Sequence, residues 1–269
     1  MLTFDEYACY YNVIYGDKDY RAEAEEINRL INEYSDNSMC NSNIQSSNEA
    51  YSSDSQNRKL LNLGCGTGKH DREFEKLGYK VKGIDLSPKM IEIAETECIK
   101  GELEFECGDI RKYRDSCRYD ICTSLFHVIS YQISNQDLLD AFLTAAAELK
   151  DGGLFIFDVW YGPGVLTEKP EVRIKQVSDG KRTFIRHAVP IMYAEDNTVD
   201  VNYEVLAIDN LTNIVKKMNE THKMRYWFSP EIKYFLEQAG FELLACLDCK
   251  TLSEVSFDSW TAYFIARKC

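Results

Sequence analysis

Three glycines at alternate positions, followed by a single carboxylate, are the residues of this chain with the clearest chemical use. Residues 60–68 read Leu-Leu-Asn-Leu-Gly-Cys-Gly-Thr-Gly, and Asp85 follows 17 residues after Gly68, at the end of a second apolar run. Glycine is needed where backbone approaches a ligand closely or takes a positive φ. An acid at the tip of the next strand can bind both hydroxyls of a ribose. The spacing therefore indicates a site for an adenosine-containing cofactor on a parallel sheet.

The spacing of the glycines does not fit a dinucleotide loop. That loop reads Gly-x-Gly-x-x-Gly, with a helix N-terminus facing a pyrophosphate. Counted from Gly64 the third glycine falls on Lys69, and counted from Gly66 it falls on Asp71. A Gly-x-Gly-x-Gly loop suits instead a ligand without phosphate, whose amino-acid tail lies over the loop.

In this segment the chain resembles the class I S-adenosylmethionine (SAM) methyltransferases, whose first motif commonly ends Leu-Gly-x-Gly-x-Gly. The resemblance implies an α/β fold, a Rossmann-like seven-stranded and mostly parallel sheet, with SAM as the cofactor. One departure is Asn62, where that family often has Asp or Glu. An amide keeps the hydrogen bonds of that position but loses the negative charge that favours the cationic amine of SAM.

Apolar runs and cap residues predict the elements that position this loop. Ser87-Pro88 and Ser134 are helix-start signals, and the second has Asp137 three residues on. Apolar runs between helices indicate a parallel sheet that is covered on both faces. We predict helices at 5–15, 19–34, 69–77, 88–98, 135–149 and 230–239. We predict strands at 59–63, 79–84, 102–106, 118–124, 154–159, 241–248 and 260–267.

Changes in pattern divide the chain into four parts. Residues 1–34 form two helices, which the resemblance places over the cofactor. The segment 35–57 is rich in Ser and Asn and is expected to be a mobile loop. Residues 58–163 and 229–269 form the SAM-binding domain. Within 164–228 apolar and polar residues alternate, as in half-buried antiparallel strands, so this segment is predicted to be a β insertion.

Composition excludes several classes of partner. The 269 residues carry a net charge of −13, and nucleic-acid binding requires a basic surface. No apolar run approaches the roughly 18 residues that span a bilayer, and the first residues do not read as a signal peptide. The ten cysteines show no regular spacing, which favours a reduced, cytoplasmic setting. We therefore expect neither a nucleic-acid nor a membrane partner.

The candidate cofactor ligands follow the ends of successive strands, because open parallel sheets bind ligands there. By the resemblance, the carboxylate at Asp85 binds ribose, Asp109 accepts a hydrogen bond from the adenine amine, and Met90 and Ile110 sandwich the ring. The remaining candidates at the strand ends are Gly64, Cys65, Gly66, Thr67, Gly68, Leu86, Ser87 and Leu125.

Methyl transfer needs a lone pair about 3–3.5 Å from the methyl carbon and the exclusion of water. An amine acceptor must also lose a proton, so a nearby base is useful. His127 follows the fourth strand of the sheet and is the candidate base, with a structural histidine as the alternative. His222 lies in the insertion and is a candidate for contact with the substrate, with an exposed strand residue as the alternative. Asp158 has no second acid at Thr123 or Ser124, so we predict no metal.

A fuller resemblance links the chain to methyltransferases that dimethylate the amine of nucleotide-linked deoxyamino sugars. It rests on residues 11–20, the glycine loop, residues 126–131, residues 158–161 and the β insertion. In that family N-terminal tyrosines close over the SAM carboxylate, and an aromatic segment after the fifth strand borders the substrate. The resemblance therefore makes Tyr15 and Tyr20 cofactor candidates and makes Tyr11, Tyr131, Trp160 and Tyr161 substrate candidates.

These observations predict a SAM-dependent methyltransferase that acts on a small polar acceptor. An amine is favoured, and a nucleotide-linked amino sugar is the specific candidate. A small-molecule O-methyltransferase and a SAM-binding regulator without turnover stay open as alternatives. A homodimer formed through the β insertion is a further expectation.

Overall fold

The computed structural model describes residues 8–35, 57–96 and 103–269. The expected mobile loop at 35–57 falls almost wholly outside these residues. The strands are β1 (Lys59–Leu63), β2 (Lys80–Asp85), β3 (Leu103–Cys107), β4 (Tyr119–Ser124), β5 (Leu149–Trp160), β6 (Arg173–Ser178), β7 (Arg182–Tyr193), β8 (Thr198–Asp209), β9 (Val215–Arg225), β10 (Phe241–Asp248) and β11 (Thr261–Lys268). The helices are α1 (Ala8–Ile14), α2 (Tyr20–Ser35), α3 (Lys69–Lys76), α4 (Pro88–Thr96), α5 (Asn135–Glu148), α6 (Gly162–Thr167) and α7 (Ser229–Gln238), with a 3₁₀ helix at Val128–Tyr131.

Seven strands form one sheet in the order β10-β11-β5-β4-β1-β2-β3. The pairs from β5 across to β3 are parallel, whereas β11 runs antiparallel to both β5 and β10. The chain starts at the centre with β1 and β2, moves outward to β3, and then crosses back to β4. The predicted seven-stranded, mostly parallel α/β sheet is confirmed.

Helices cover both faces of this sheet, so apolar side chains on both faces of its strands are buried in the core. Aromatic rings fill the layer between α5, β5 and β11, and Phe157 stacks on Phe264 with ring centroids 5.5 Å apart. On the other face α2 packs Ile27 and Ile31 into a cluster with Leu60 and Phe74. This burial on both faces explains why the central strands read as continuous apolar runs.

Two predicted helix starts are confirmed by their hydrogen bonds. The Ser134 hydroxyl accepts the backbone N–H of Asp137 at 3.0 Å at the start of α5. The Ser87 hydroxyl accepts the backbone N–H of Met90 at 3.3 Å in the first turn of α4. These caps fix where α4 and α5 begin beside the ends of β2 and β4.

One predicted strand begins much earlier than expected, and one short helix was not predicted. Strand β5 begins at Leu149, five residues before the predicted start, because Leu149 pairs with Tyr119 ahead of the turn at Gly152. Helix α6 overlaps the start of the segment 164–228 that was predicted to be a β insertion, whose first strand begins only at Arg173. The helix was not predicted, since six residues are too few to show a helical period. Its Gly164 packs directly on the backbone of Ser259, where a Cβ would lie 1.9 Å from the carbonyl oxygen.

The insertion is a separate four-stranded antiparallel sheet in the order β6-β7-β8-β9. One face of it is buried, and helix α1 packs against that face, with Tyr10 4.9 Å from Phe184 between ring centroids. The N-terminal helices thus contact both the insertion, through α1, and the seven-stranded sheet, through α2. Within the described ranges, none of the helices is long and apolar enough to cross a membrane.

Candidate active site

A cavity of about 320 Å³ opens at the carboxyl ends of the central parallel strands. Its walls are the glycine loop, the ends of β2 and β4, helix α1, and the buried face of the insertion. The volume lies within the range of about 300–1,000 Å³ that small-molecule sites occupy. All of the predicted site residues except Gly68 and Tyr161 line this cavity. The cavity therefore lies where open parallel sheets usually bind their ligands.

The glycine loop takes a left-handed backbone that L-residues rarely adopt. The φ angles of Gly64, Gly66 and Gly68 are +84°, +56° and +71°. The backbone N–H groups of Gly64 and Cys65 both donate to the carbonyl oxygen of Ile84, at 2.7 and 2.9 Å. A Cβ added at Gly66 would meet nothing within 4 Å, so the space beside this residue is open. The loop therefore presents bare backbone to the cavity.

Asp85 connects the loop to the end of β2. One carboxylate oxygen accepts the backbone N–H of Gly66 at 2.9 Å, and the other accepts that of Ser87 at 2.8 Å. Burial raises the pKa of Asp85, although both backbone hydrogen bonds favour its charged form. Each oxygen can accept a further hydrogen bond, since a carboxylate offers about four lone-pair sites. The side chain is thus held in place with capacity left for hydroxyl donors.

Two predicted residues lie away from the cavity lining. Gly68 begins α3, and its Cα packs against the ring of Phe105, where a Cβ would lie 2.3 Å from Cζ. Tyr161 is buried in the core behind β5, pairs with Trp227 through a β-bridge, and receives a hydrogen bond from the Ser229 hydroxyl at 3.3 Å. Both predictions are corrected: close packing explains the glycine, and core burial explains the tyrosine.

Asp109 lines the cavity, but its carboxylate is already bound by an arginine. Arg111 donates from its backbone, from Nε and from Nη2 to Asp109, with distances of 2.7–3.2 Å, and also donates from Nη1 to Asp137. The hydrogen bonds from Arg111 lower the pKa of Asp109. The adenine amine expected here would therefore share a carboxylate that Arg111 holds ionised.

Aromatic residues from α1 and from the loop after β4 form one wall. Tyr15 lies edge-on to Phe126 at 5.2 Å between centroids, and Lys18 places its Nζ 4.5 Å from the Phe126 ring centre. The Thr67 hydroxyl donates to the side-chain oxygen of Asn12 at 2.7 Å, which ties α1 to the glycine loop. The Tyr20 hydroxyl oxygen is buried and has no hydrogen-bond partner among the described residues.

The carboxylate of Glu23 lies beside this wall and contacts residues that belong to it. His70 lines the cavity, and its Nε2 contacts a Glu23 carboxylate oxygen that Lys18 also contacts. Burial opposes ionisation of Glu23, but contact with His70 and Lys18 outweighs it and lowers the pKa of Glu23 to about 2. The charged form of Glu23 is thus fixed between two partners.

His127 is held at the cavity by Asp158, at the end of β5. The backbone N–H of His127 donates to both Asp158 oxygens at 3.1 Å, and its ring Nδ1 contacts the same carboxylate. Both Phe126 and His127 have φ of +66°, a conformation that costs energy for residues with a Cβ. Backbone strain of this kind is concentrated at functional sites. The carboxylate stabilises it here, and the histidine faces the cavity.

The buried face of the insertion forms the opposite wall. His222 places Nδ1 2.6 Å from the Tyr131 hydroxyl and Nε2 3.3 Å from a Glu220 oxygen. Tyr203 lies edge-on to the His222 ring, 4.9 Å away between centroids. His222 is therefore a buried cavity residue, and the alternative of an exposed strand residue is wrong.

Sequence reasoning missed eight residues of the lining. Val201, Tyr203 and Met224 share the inward positions of β8 and β9, so the alternation that predicted these strands could have found them. No local pattern distinguishes the others, which are His70, Arg111, Phe126, Val128 and Gln132. Within the described ranges, no three or more His, Cys, Asp or Glu side chains lie together in a way that could hold a metal ion.

Comparisons with known proteins agree with this geometry. Residues 60–153 match a family model described as a methyltransferase domain. A Geobacillus sp. (strain WCH70) protein, named only as a candidate methyltransferase, is 21% identical over 269 residues, which cover 99% of this chain and all of that protein. A Saccharopolyspora spinosa protein named dTDP-4-amino-2,3,4,6-tetradeoxy-D-glucose N,N-dimethyltransferase is 32% identical over 39% of this chain and 42% of its own length.

A solved structure shares the whole fold. SAM-bound CalS10, an amino pentose methyltransferase from Micromonospora echinaspora, superposes with a TM-score of 0.72 at 19% identity, over all of this chain and 99% of its own. The family match lies on the elements that carry the glycine loop, Asp85 and Asp109. The family match confirms the predicted methyltransferase domain at residues 60–153, and the shared fold confirms the predicted class I architecture of the whole chain.

Proposed function

We propose that the protein transfers a methyl group from SAM to the amine nitrogen of a small polar acceptor, with a nucleotide-linked amino sugar as the specific candidate. The observation that carries the proposal is the carboxylate-supported His127, which lines the same cavity as the glycine loop. Methylation of either an amine or a hydroxyl releases a proton, so a base in this place suits both acceptors, and the names of the relatives favour the amine.

The residues of one side of the cavity fit SAM. The open space at Gly66 and the remaining acceptor capacity of Asp85 suit an adenosyl group, with Met90 and Ile110 as apolar neighbours of the base. The buried Tyr20 hydroxyl, without a partner among the described residues, suits a carboxylate of the ligand. Helices α1 and α2 supply the tyrosines of this wall, which supports their assignment as a cover over the cofactor.

The other side suits the acceptor. When bound, SAM supplies a methyl group on a positively charged sulfur, and the protein must present a neutral nitrogen to it. Contact with Asp158 favours a proton on Nδ1 of His127 and leaves the Nε2 lone pair as the base. Trp160 and Tyr131 border the same space and exclude water from it. His127 thus removes a proton from the acceptor while the aromatic walls position it.

The names of the relatives support an amino-sugar acceptor. The Saccharopolyspora spinosa relative is named for a dTDP-linked amino sugar, and the Micromonospora echinaspora structure is described as an amino pentose methyltransferase. Seven of the cysteines within the described ranges are free thiols, which supports our assignment to the reducing cytoplasm.

The test is release of S-adenosylhomocysteine from SAM with a panel of acceptors. The panel contains dTDP-linked 3-amino and 4-amino deoxysugars and the matching sugars with a hydroxyl in place of the amine, and mass spectrometry locates the new methyl group. We expect methylation on nitrogen. Faster turnover of the hydroxyl sugars would instead establish an O-methyltransferase. SAM binding with no turnover of any acceptor would establish a regulator.

The role of His127 is tested by His127→Gln, with His187→Gln as the matched control, because His187 lies on β7 outside the cavity lining. We expect a loss of about 10²-fold or more in kcat at pH 7 for the first variant and none for the control. The loss should shrink at a pH where the acceptor amine is already neutral. A loss that does not depend on pH would leave His127 only a positioning role.

A further inference from the structure

Ionisable side chains stand on the buried face of the insertion, where burial is costly unless each group is paired. On β9 the inward positions are Met218, Glu220, His222 and Met224, which alternate with exposed neighbours. Glu220 and His222 therefore project from the same face of the strand, two residues apart. The sequence of an ordinary half-buried strand would place apolar residues at these positions.

His222 connects two groups in a line. Its Nδ1 lies 2.6 Å from the hydroxyl of Tyr131, and its Nε2 lies 3.3 Å from a carboxylate oxygen of Glu220. The side chain of His222 is only 3% exposed, so these contacts are largely shielded from water. Tyr131 comes from the 3₁₀ helix after β4, 91 residues earlier in the chain. The contacts of His222 thus connect the insertion to the seven-stranded domain.

The charge of Glu220 orients the hydrogen bond between His222 and Tyr131. The Glu220 carboxylate lies 3.3 Å from Nε2 as a charge contact, and its attraction for a positive proton favours the His222 tautomer that carries the proton on Nε2. Nδ1 then has a lone pair and accepts the O–H of Tyr131. With its own proton directed at His222, the Tyr131 oxygen can accept a hydrogen bond from a donor in the cavity, which Tyr131 and His222 both line.

We propose that Tyr131, His222 and Glu220 form a proton relay that takes a proton from the acceptor amine, with Tyr131 as the catalytic residue that touches the acceptor. This inference rests on the proposed amine methylation. An acceptor N–H proton passes to the Tyr131 oxygen as the Tyr131 proton passes to Nδ1 of His222. The acceptor nitrogen keeps the electron pair of its N–H bond, Tyr131 ends neutral, and the imidazolium formed at His222 is stabilised by Glu220. His222 and Glu220 are positioning residues in this scheme.

Other ionisable groups of the described ranges pack around these three residues. Tyr203 from β8 packs on the His222 ring, and burial raises the pKa of Tyr203, so it stays neutral. Arg186 from β7 lies 5.1 Å from the Tyr203 ring and donates to the hydroxyl of Tyr15. His127 and Asp158 form a separate pair beside the 3₁₀ helix that carries Tyr131. The cavity therefore has a histidine beside a carboxylate at each of two walls. Two methyl transfers to one amine require two protons to leave, and we assign one proton to His127 and the other to the relay.

The first test needs no acceptor. Nitrogen-15 NMR of the imidazole groups in the full chain, saturated with S-adenosylhomocysteine, reports the tautomer of each of the four histidines. We expect a proton on Nε2 and a hydrogen-bonded Nδ1 for His222. Tyr131→Phe should move the Nδ1 resonance, and Glu220→Gln should change the ratio of the tautomers. A neutral His222 with its proton on Nδ1 would overturn the relay.

The second test uses dTDP-4-amino-2,3,4,6-tetradeoxy-D-glucose as the acceptor. Tyr131→Phe and His222→Gln should each lower kcat by about 10²-fold at pH 7, and the deficit should close as pH rises and the amine becomes neutral. Tyr226→Phe is the control, since this tyrosine is buried nearby but does not line the cavity.

Non-additivity separates a relay from two independent structural effects. The double variant Tyr131→Phe/His222→Gln should be no slower than the slower of its two single variants, because either substitution alone already breaks the relay. Additive losses, or deficits that do not change with pH, would contradict the relay. If the wild-type protein turns over no amine, the proposed function fails, while the NMR result still decides the relay geometry.

Discussion

Asp85 is the residue at which loss of one charge should cost the most cofactor affinity. Asp85→Asn keeps the shape of the side chain but replaces one accepting oxygen by a donor, so that the Gly66 or the Ser87 N–H loses its partner. We expect SAM affinity to fall by about 10- to 150-fold, which corresponds to about 1.5–3 kcal/mol. Titration calorimetry measures it, with Asp140→Asn on α5 as the control. Unchanged SAM binding by a folded Asp85→Asn protein would refute the ribose role.

Asp71 is expected to make the fold less stable as pH rises. It is fully buried in α3, accepts from the Asn62 amide at 3.0 Å, and has a second oxygen without a partner among the described residues. Burial raises the pKa of Asp71 from 3.8 to about 6 despite the Asn62 hydrogen bond. The unfolded chain therefore releases this proton at lower pH than the folded chain, and stability falls between pH 3.8 and about 6.

Asp71→Asn should therefore raise the free energy of unfolding at pH 8 by up to roughly 3 kcal/mol, since each pKa unit is worth about 1.4 kcal/mol. At pH 4 the variant and the wild-type protein should differ little. Urea unfolding at both pH values measures the difference. A variant that is less stable than wild type at pH 8 would show that the carboxylate is needed in its charged form.

At the scale of elements, two glycines of the same loop have different roles. Gly66→Ala adds a methyl group into the open cavity, whereas Gly68→Ala drives one into the Phe105 ring. Both substitutions cost about 1–2 kcal/mol for the left-handed backbone. Overpacking should add about 1–3 kcal/mol for Gly68→Ala alone. We expect Gly66→Ala to lose SAM binding, which calorimetry measures. We expect it to lose less stability than Gly68→Ala, which urea unfolding measures.

The reverse order, with Gly66→Ala the less stable protein, would contradict this division of roles. Gly68→Ala combined with Phe105→Leu should recover part of the lost stability, because the smaller side chain makes room for the methyl group. The matched partner variant, Phe105→Leu in the wild-type background, gives the reference for this recovery.

Elements and strand-end positions were predictable because their signals are local. The Ser134 cap, the glycine loop and the acid after β2 each depend on a few neighbouring residues. The clamp of Arg111 on Asp109 and the contact between Tyr131 and His222 were not predictable, since tertiary packing creates both. Tyr161 was assigned wrongly to the cavity because a position just after a strand does not show whether the side chain turns into the core.

At the scale of the whole molecule, the outer face of the insertion exposes apolar side chains. Ile174 on β6 is 70% exposed and Ile191 on β7 is 48% exposed. Exposed apolar groups in one region often mark an interface. We predict a homodimer through this sheet, and light scattering should give about twice the chain mass of 31.1 kDa.

Ile174→Asp should dissociate this dimer, while Phe257→Asp, an equally exposed site between β10 and β11, should leave it intact. A single-chain mass for the wild-type protein at every concentration would rule out the dimer. Dissociation by both variants would place the interface elsewhere.

Methyl transfer requires one cavity that binds the adenosyl group at the glycine loop and the acceptor at the insertion wall. A crystal structure with S-adenosylhomocysteine and a dTDP-linked amino sugar measures this directly. We expect the ribose hydroxyls at Asp85, the homocysteine tail over residues 64–67, and the sugar amine between His127 and Tyr131. A nucleoside bound away from Asp85, or a sugar amine outside the space between His127 and Tyr131, would contradict this arrangement.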